Sequence, residues 1–545
     1  MAISTLTLAH ITYTVPGNAE PLFSDISATF PQGWTAMLGD NGIGKTTLMH
    51  IAMGLLHADA GTAVPSPGSM IVGFCPQNTD EKPAGLEDFA ADWSAETMVI
   101  RRALGIDDDW PWRYGELSGG EAKCLQIACA LARRPDMLIL DEPTNHLDEG
   151  TRKDIVAVLR NFRGIGIAVS HDVDFIDALA TRCVFFERDH VQGRNVTVVR
   201  TRPGNYSQAA ADAEHDRRAA DDALRTARRE AVRLERTAAR RRHDATLAAT
   251  RAQSQTAHAT VDRKDHDARN LLKLHKSLST DGSAGAASAR IAARTAAARH
   301  RANDIVTAAK RYDGDIWMDA EASHRSELVR LEPQLIRYDG EHNGADSTRS
   351  VDEQGLEVPL LSVGPHDRIG IVGRNGTGKT TVFRAMLGQT TRMQPPIPVL
   401  SMAQNTTDHD ASDAMSRLLG LSAVDRTATL SAYAQLNADP DRLLAGEQPS
   451  PGELRKLLLC LGARRHPHLI MLDEPTNHLD LHSKQALAKT LAAFPGTVIV
   501  ISHDRAFLRD AGITTLWECR RNTVEAEHQH GSYLTIRHFV RSARP

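Results

Sequence analysis

The sequence predicts an α/β protein that contains two copies of one domain, joined by a helical hairpin. GDNGIGKTT at 39–47 is repeated as GRNGTGKTT at 373–381, and DEPTNHLD occurs at both 141–148 and 473–480. Short apolar runs that alternate with helix-like stretches are typical of a mostly parallel sheet covered by helices. Between the two copies lies a segment rich in Ala, Arg and Asp, without proline, which indicates long helices.

Length and composition fit a large globular chain. The 545 residues suffice for several domains, and 41% hydrophobic and 24% charged residues exclude a disordered or fibrous protein. No run of about 18 apolar residues indicates a membrane span, so we expect a soluble, cytoplasmic protein. The six cysteines lack metal-ligand spacing and are expected to be reduced thiols; they are Cys75, Cys124, Cys129, Cys183, Cys460 and Cys519.

The domain boundaries follow from the repeat and the change of composition. We predict a first domain at 1–205, a helical linker at 206–312 and a second domain at 313–545. Apolar and small residues recur with 4-3-4-3-4 spacing in two stretches of the linker, which predicts an antiparallel coiled coil with a closely packed seam. The positions are Ala220, Leu224, Ala227, Ala231, Leu234 and Ala238 in one stretch and Ile291, Thr295, Ala298, Ala302, Ile305 and Ala309 in the other.

Charge is concentrated on the linker. It has 22 Lys and Arg against 13 Asp and Glu, a net charge of +9, although the whole chain has −4. Near the expected hairpin tip stand five basic residues between leucines: Arg263, Lys264, Arg269, Lys273 and Lys276. A solvated helix surface and a phosphate-binding surface for nucleic acid both fit this pattern.

A phosphate-binding loop is predicted in each copy. The pattern G-x-x-x-x-G-K-[ST] follows an apolar segment, 35–38 or 368–372. Its glycines let backbone N–H groups surround phosphates, its lysine reaches the β- and γ-phosphates, and its hydroxyl binds Mg²⁺. The predicted nucleotide-binding residues are Gly39, Asn41, Gly42, Gly44, Lys45, Thr46 and Thr47 in the first loop and Gly373, Asn375, Gly376, Gly378, Lys379, Thr380 and Thr381 in the second.

Each loop is followed about 95 residues later by an apolar strand that ends in Asp-Glu. We expect Asp141 and Asp473, with Thr46 and Thr380, to hold Mg²⁺. Glu142 and Glu474 would then polarise the attacking water as catalytic residues. A helix cap is the alternative role for such a carboxylate pair, and the phosphate loop in the same copy argues against it. ATP and Mg²⁺ are therefore the predicted cofactors.

The segment Leu117-Ser118-Gly119-Gly120-Glu121 resembles the signature motif of ATP-binding cassette (ABC) proteins. The resemblance implies P-loop ABC ATPase domains that hydrolyse ATP to ADP and phosphate, each ATP lying between one phosphate loop and the opposite signature. It implies nucleotide contacts by Ser118, Gly119 and Gly120 and by Ser450 and Gly452. It also implies that Gln77 and Gln404 contact nucleotide and Mg²⁺, and that His171 and His503 are catalytic switch histidines.

Twin cassettes with DEPTNHLD, a helical linker and no membrane segment resemble ABC-F proteins, and Pro203-Gly204-Asn205-Tyr206 is similar to that family's junction. The resemblance implies a monomer that encloses two ATP molecules and binds the ribosome, not a membrane. Its hairpin would contact rRNA and P-site tRNA and point toward the peptidyl-transferase centre. Antibiotic displacement and rescue of stalled translation are both consistent with this resemblance. Likeness to actinobacterial resistance proteins at 33–34 and 39–41 favours displacement.

The second signature departs from the family pattern, because Pro451 stands where the first copy has glycine. Proline has no N–H and fixes φ near −65°. The site of Lys379 with Ser118 is thus complete, and the site of Lys45 with Ser450 lacks one backbone donor. We therefore predict slower hydrolysis at the Lys45 site.

Two other classes of protein also contain such cassettes. The ATPase subunit of an importer with fused cassettes needs no basic linker of about 100 residues, and DEPTNHLD is atypical of it. A DNA-associated structural ATPase usually has a far longer coil between two half-cassettes, whereas each cassette is whole here. Both features favour the ribosomal hypothesis.

Overall fold

The computed structural model describes residues 3–18, 20–145, 147–191, 194–257, 290–301, 307–308, 320–337, 355–404, 408–446, 448–477, 479–521 and 532–538. The chain divides into two compact units. The cassette unit comprises Met1–Glu187, Val198–Ala209 and Arg311–Pro545, and the insert unit comprises Arg188–Thr197 and Ala210–Lys310. Both copies of the sequence repeat lie in the cassette unit.

The first copy is an α/β domain. Its elements are β1 (Thr5–Tyr13), β2 (Phe23–Pro31), β3 (Gly33–Leu38), α1 (Lys45–Ala52), β4 (Ala60–Val64), β5 (Val72–Cys75), α2 (Leu86–Ala91), α3 (Ala95–Ala103), α4 (Gly119–Ala132), β6 (Met137–Asp141), α5 (Glu149–Leu159), β7 (Ile165–Val169), α6 (Val173–Leu179), β8 (Arg182–Val191) and β9 (Arg194–Pro203). The strand order β8-β3-β7-β6-β5 is parallel throughout, as predicted. All residues of β6 and β7 are buried, as expected of strands covered on both faces.

A second, antiparallel sheet of order β2-β1-β4 packs on one face of the parallel sheet. Leu6, Leu8 and Phe30 of this small sheet share a core with Met49 of α1 and Ile139 of β6. Its alternation of buried and exposed residues in β1 and β2 is typical of a half-exposed antiparallel sheet. This antiparallel sheet was not predicted from the sequence.

The insert unit is mainly helical. Its elements are α7 (Tyr206–Ala257), which begins in the cassette unit, α8 (290–301) and β10 (Thr307–Ala308). The 52 residues of α7 correspond to about 78 Å at 1.5 Å per residue. The predicted seam positions of α7 are less exposed than their neighbours, and Ala231 and Ala298 are buried. Arg299 forms an ion pair with Glu235, which brings α8 against α7.

The linker differs from the prediction at 307–308, and its predicted tip lies outside the described residues. Helical spacing was predicted through Ala309, but Thr307–Ala308 is a strand that pairs with Asp189 and His190, where an open strand edge supplies backbone hydrogen-bond partners. The five basic residues predicted near the tip lie outside the described residues, as do Ala302, Ile305 and Ala309.

The second copy repeats the architecture of the first. Its elements are β11 (Val329–Leu331), β12 (Gln334–Arg337), β13 (Gly355–Val358), β14 (Leu361–Val363), β15 (Arg368–Gly373), α9 (Lys379–Arg392), β16 (Val399–Met402), α10 (Asp408–Gly420), α11 (Ala423–Gln435), α12 (Pro440–Leu444), α13 (Pro451–Ala463), β17 (Leu469–Asp473), α14 (Leu481–Ala493), β18 (Thr497–Ile501), α15 (Arg505–Asp510), β19 (Thr515–Arg521) and β20 (Ser532–His538). The run β19-β15-β18-β17-β16 is parallel and matches β8-β3-β7-β6-β5 strand for strand. Within the described parts of the chain, no helix is both long enough and apolar enough to cross a membrane.

Candidate active sites

Each phosphate loop connects an interior strand of a parallel sheet, β3 or β15, to a helix. In the first copy the loop runs from the end of β3 to α1, and Gly44 caps α1 with φ 108°. Gly39 has φ 150°, and a Cβ there would lie 2.8 Å from the Phe186 carbonyl oxygen. Gly373 repeats this with φ 149° and a Cβ 2.4 Å from the Cys519 oxygen. Both glycines are therefore required by the turn and by close backbone contact.

The loop lysines are buried and donate to their own loops. The Lys45 ammonium lies 2.7 Å from the Gly39 oxygen and 2.9 Å from the Asp40 oxygen. Lys379 makes the equivalent bonds to Gly373 and Arg374 at 2.9 and 3.0 Å. Burial lowers the pKa of both lysines, and the neighbouring carboxylates oppose this shift. Each loop therefore encloses a cation where the motif predicts phosphate.

A threonine at the end of each loop forms a hydrogen bond with the aspartate that ends β6 or β17. Thr46 Oγ1 donates to Asp141 Oδ2 at 3.3 Å, and Thr380 Oγ1 donates to Asp473 Oδ2 at 3.0 Å. The described residues hold no cluster of three or more His, Cys, Asp or Glu that would form an all-protein metal cage. A hydroxyl and a single carboxylate suit Mg²⁺, which binds through few protein ligands together with phosphates and water. When bound, Mg²⁺ would neutralise charge on the phosphates.

The predicted Mg²⁺ ligands Gln77 and Gln404 follow the strands next to β6 and β17, two residues beyond β5 and β16. A buried basic side chain of α4 and one of α13 donate to the backbone oxygens at these glutamines. The Lys123 ammonium donates to the oxygens of Pro76 at 2.5 Å and Gln77 at 3.1 Å, and Arg455 donates to the Gln404 oxygen. The roles of Lys123 and Arg455 were not predicted from the sequence. Their signal is a basic residue five positions after the signature serine in both copies.

The predicted general bases lie at the ends of β6 and β17 in an unusual backbone conformation. Glu142 has φ 46° and Glu474 has φ 45°, in the left-handed region that non-glycine residues rarely adopt. Burial raises the pKa of Glu142 to about 7 and that of Glu474 to about 8. Glu474 Oε1 is buried, and it has no hydrogen-bond partner among the residues that the structure describes. A carboxylate that titrates near neutral pH is suited to accept a proton from water.

The predicted switch histidines contact these glutamates. His171 Nε2 lies 3.4 Å from Glu142 Oε1 and 3.3 Å from Asn41 Oδ1, and His503 Nε2 lies 3.4 Å from Glu474 Oε1. Burial lowers the pKa of His171 well below its usual value and that of His503 to about 3. Both rings are therefore neutral at pH 7 and can act as hydrogen-bond partners without adding charge.

The signature segments begin helices α4 and α13. Ser118 and Ser450 cap them, each in a reciprocal capping box with the glutamate three residues later. Both serines are exposed, whereas Gly120 and Gly452 are buried. Pro451 is the first residue of α13 and Gly119 the first residue of α4. The two helix ends thus share one geometry, and proline removes one N–H from the second.

The structure brings residues of the two cassettes together after β6 and after β17. Asp148 Oδ2, at the start of α5, lies 3.6 Å from Arg374 Nε in the second phosphate loop. The Lys484 ammonium, in the first turn of α14, donates to the carbonyl oxygen of His171 at 3.1 Å. Each cassette therefore contacts the candidate site of the other.

The comparisons with known proteins agree with this architecture. The ABC transporter family model matches residues 23–145 and 357–477. The chain is 26% identical over 534 residues to the ribosome protection protein VmlR of Bacillus subtilis, covering 92% of this chain and 84% of that protein. It is 24% identical over 571 residues to the energy-dependent translational throttle protein EttA of Escherichia coli, covering 93% and 91%.

Solved structures show the same fold. A crystal structure of the archaeal ribosome recycling factor aABCE1 with a ribosomal stalk protein is similar with a TM-score of 0.57 at 16% identity, over 96% of this chain and 89% of that one. The paired phosphate loops and signature helices, with a family match in each copy, give the chain two P-loop ABC ATPase domains. VmlR and EttA match the chain along about nine-tenths of its length.

Proposed function

We propose that the chain is an ABC-F ATPase that binds the ribosome and hydrolyses ATP to ADP and phosphate at two sites between its cassettes. The observation that carries this proposal is the reciprocal contact of each cassette with the other's candidate site, through Asp148 with Arg374 and through Lys484 with His171. Two enclosed ATP molecules would complete the interface within one chain, which accordingly acts as a monomer.

In this proposal Glu142 and Glu474 are the general bases, and His171 and His503 orient the reacting groups. The loop lysines bind the β- and γ-phosphates, and the signature helices contribute N–H groups from the opposite cassette. Mg²⁺ is held by Thr46, Gln77 and Asp141 in one site and by Thr380, Gln404 and Asp473 in the other. ATP binding joins the cassettes, and hydrolysis lets them separate, so that ATP acts as a timer.

The ribosome is the proposed partner for two reasons. VmlR is a ribosome protection protein, and EttA is an energy-dependent translational throttle protein. The linker carries a net charge of +9 in a chain of net charge −4, as expected of a segment that contacts RNA phosphates. We place the hairpin toward P-site tRNA and the peptidyl-transferase centre, where displacement of antibiotics or rescue of stalled synthesis would follow.

Co-sedimentation with purified ribosomes tests the proposal. The double variant Glu142→Gln with Glu474→Gln should bind ATP without cleaving it and should sediment with ribosomes when ATP is present and not when it is absent. Sequencing of bound RNA after pulldown should recover rRNA. A double variant that stays free with ATP, or one that copurifies with a permease, would contradict the ribosomal assignment.

A salt titration tests the role of the linker. If Arg263, Lys264, Arg269, Lys273 and Lys276 contact RNA phosphates, their replacement by glutamine should weaken ribosome binding and reduce its salt dependence. The control replaces five exposed basic residues of the cassette unit with glutamine. It should reduce the slope of binding affinity against salt concentration less than the linker variant does. An unchanged affinity and slope in the linker variant would remove this role.

A further inference from the structure

The two cassettes are copies of one domain, yet one pair of equivalent cations makes different contacts. Arg152 and Lys484 each stand four residues after the aspartate that caps the helix following the DEPTNHLD segment, Asp148 in α5 and Asp480 in α14. Both cations lie near the aspartate that follows the switch histidine of their own cassette, Asp172 for Arg152 and Asp504 for Lys484. Within the described part of the chain, Lys484 also donates a hydrogen bond to the backbone of the other cassette, and Arg152 does not.

Arg152 forms its ion pairs within its own cassette and also interacts electrostatically with His503 and Asp504 of the other. Its guanidinium lies 2.6 Å from Asp172 Oδ2 and 4.0 Å from Asp174 Oδ2, carboxylates one and three residues after His171 in the chain. Among the residues that the structure describes, Arg152 makes no hydrogen bond to the backbone of His503. The second candidate site therefore receives no direct donor from this position.

Lys484 crosses to the other cassette. Its ammonium donates to the carbonyl oxygen of His171 at 3.1 Å, while its own-cassette carboxylate, Asp504, is 3.9 Å away. Only 14% of the Lys484 side chain is exposed. A largely buried ammonium with a carbonyl partner forms a charge-assisted hydrogen bond, which is stronger than one between neutral groups.

The residue that Lys484 contacts is at the centre of the first candidate site. The His171 backbone N–H donates to Glu142 Oε2 at 3.4 Å, and its ring lies 3.4 Å from Glu142 Oε1. Lys484 therefore fixes, from the second cassette, the backbone of the residue that orients the general base of the first. The position of Glu142 becomes dependent on the contact between the cassettes.

We infer that Lys484 is a positioning residue for ATP hydrolysis at the site of Lys45 and Glu142, and that it couples this one site to cassette contact. The inference rests on the proposed function. It gives the site whose signature helix has Pro451 a hydrogen bond from the other cassette to the backbone of its switch histidine. Lys484 touches neither the expected nucleotide nor the attacking water, so it acts through His171.

The test isolates each site. In a Glu474→Gln background, turnover reports the Glu142 site, and in a Glu142→Gln background it reports the Glu474 site. Lys484→Met should lower kcat at the Glu142 site by about tenfold, as loss of an orienting partner typically does, with KM for ATP nearly unchanged. The loss at the Glu474 site should be clearly smaller. Lys484→Arg, which keeps the charge and the donor, should restore most of the kcat.

Lys489→Met is the matched control, because Lys489 is exposed on the same helix. Thermal unfolding of all variants separates a folding defect from a positioning defect. Equal losses at both sites, no loss at the Glu142 site, or failure of Lys484→Arg to restore kcat in a folded protein would overturn the inference. Absence of ATP hydrolysis by the unsubstituted chain and by both single glutamine variants would instead overturn the proposed function.

Discussion

Replacing Pro451 with glycine should accelerate ATP hydrolysis at the site that contains Lys45. Pro451 is the first residue of α13, a position whose N–H has no partner inside the helix and points outward. The equivalent residue of α4 is Gly119, which keeps this donor. The substitution therefore returns one N–H to the place where the signature would face phosphate.

The structure supports exchange of these residues in both directions. Ser450, which precedes Pro451, has φ −60° and ψ 161°, and Ser118, which precedes Gly119, has φ −62° and ψ 154°. Both serines have the extended backbone that a residue before proline needs. Neither Pro451→Gly nor Gly119→Pro should therefore disturb the helix start beyond the small change in propensity.

The size of the effect follows from the missing bond. A hydrogen bond to a charged group contributes about 1.5–3 kcal/mol. At about 1.4 kcal/mol per tenfold change in rate, a donor that acts on the developing charge gives roughly a 10- to 100-fold rise in kcat/KM. Glycine loses the fixed φ of proline, on the order of 1 kcal/mol, but this cost falls on folding and not on the reaction.

Steady-state ATPase assays in a Glu474→Gln background measure the Lys45 site alone. The mirrored control is Gly119→Pro in a Glu142→Gln background, where kcat/KM should fall by a similar factor. If Pro451→Gly left kcat/KM within twofold of its parent while Gly119→Pro was also silent, the reasoning from the signature N–H would be refuted.

Three further predictions concern stability. Lys456→Met removes the 3.1 Å partner of a buried aspartate and should cost about 3–5 kcal/mol in urea unfolding at pH 7, whereas exposed Lys489→Met should cost little. Because burial holds the Glu474 carboxyl neutral, with a pKa raised from 4.5 to about 8, the folded protein loses stability as pH rises through this interval. Glu474→Gln should therefore raise Tm at pH 8, with the gain shrinking toward pH 5, and parallel Tm curves would contradict this. In the linker, Ala231→Glu buries a charge in the predicted seam. It should lower the free energy of unfolding of the linker, measured by limited proteolysis, by about 1–3 kcal/mol. Ala239→Glu on the exposed face should leave this free energy nearly unchanged.

The loops and the central sheet were predictable because their signals are local. A glycine loop between a strand and a helix requires only its own residues, and the repeat supplied a second example of each motif. The structure accordingly places the Lys45 and Lys379 loops at the ends of β3 and β15. The 4-3 spacing in α7 was equally local, since each small residue at the seam recurs within one or two helical turns.

The contacts between elements were not predictable from one sequence. Lys123 stands in a helix that is buried along most of its length, so its cation carries no periodic signal, and only the fold shows that it meets the backbone at Gln77. Lys484 contacts a residue 313 positions away in the chain. Equivalence of the copies predicts the own-cassette aspartates near Arg152 and Lys484 but not the bond from Lys484 to His171.

The central claim is that one chain encloses two ATP molecules between its own cassettes. The most direct measurement is the amount of ATP bound by the Glu142→Gln with Glu474→Gln variant, combined with its molar mass from light scattering in the same fractions. The account predicts two ATP molecules per chain at a mass near 59.5 kDa. ATP retained only at twice that mass would show that the sites form between chains and would contradict it.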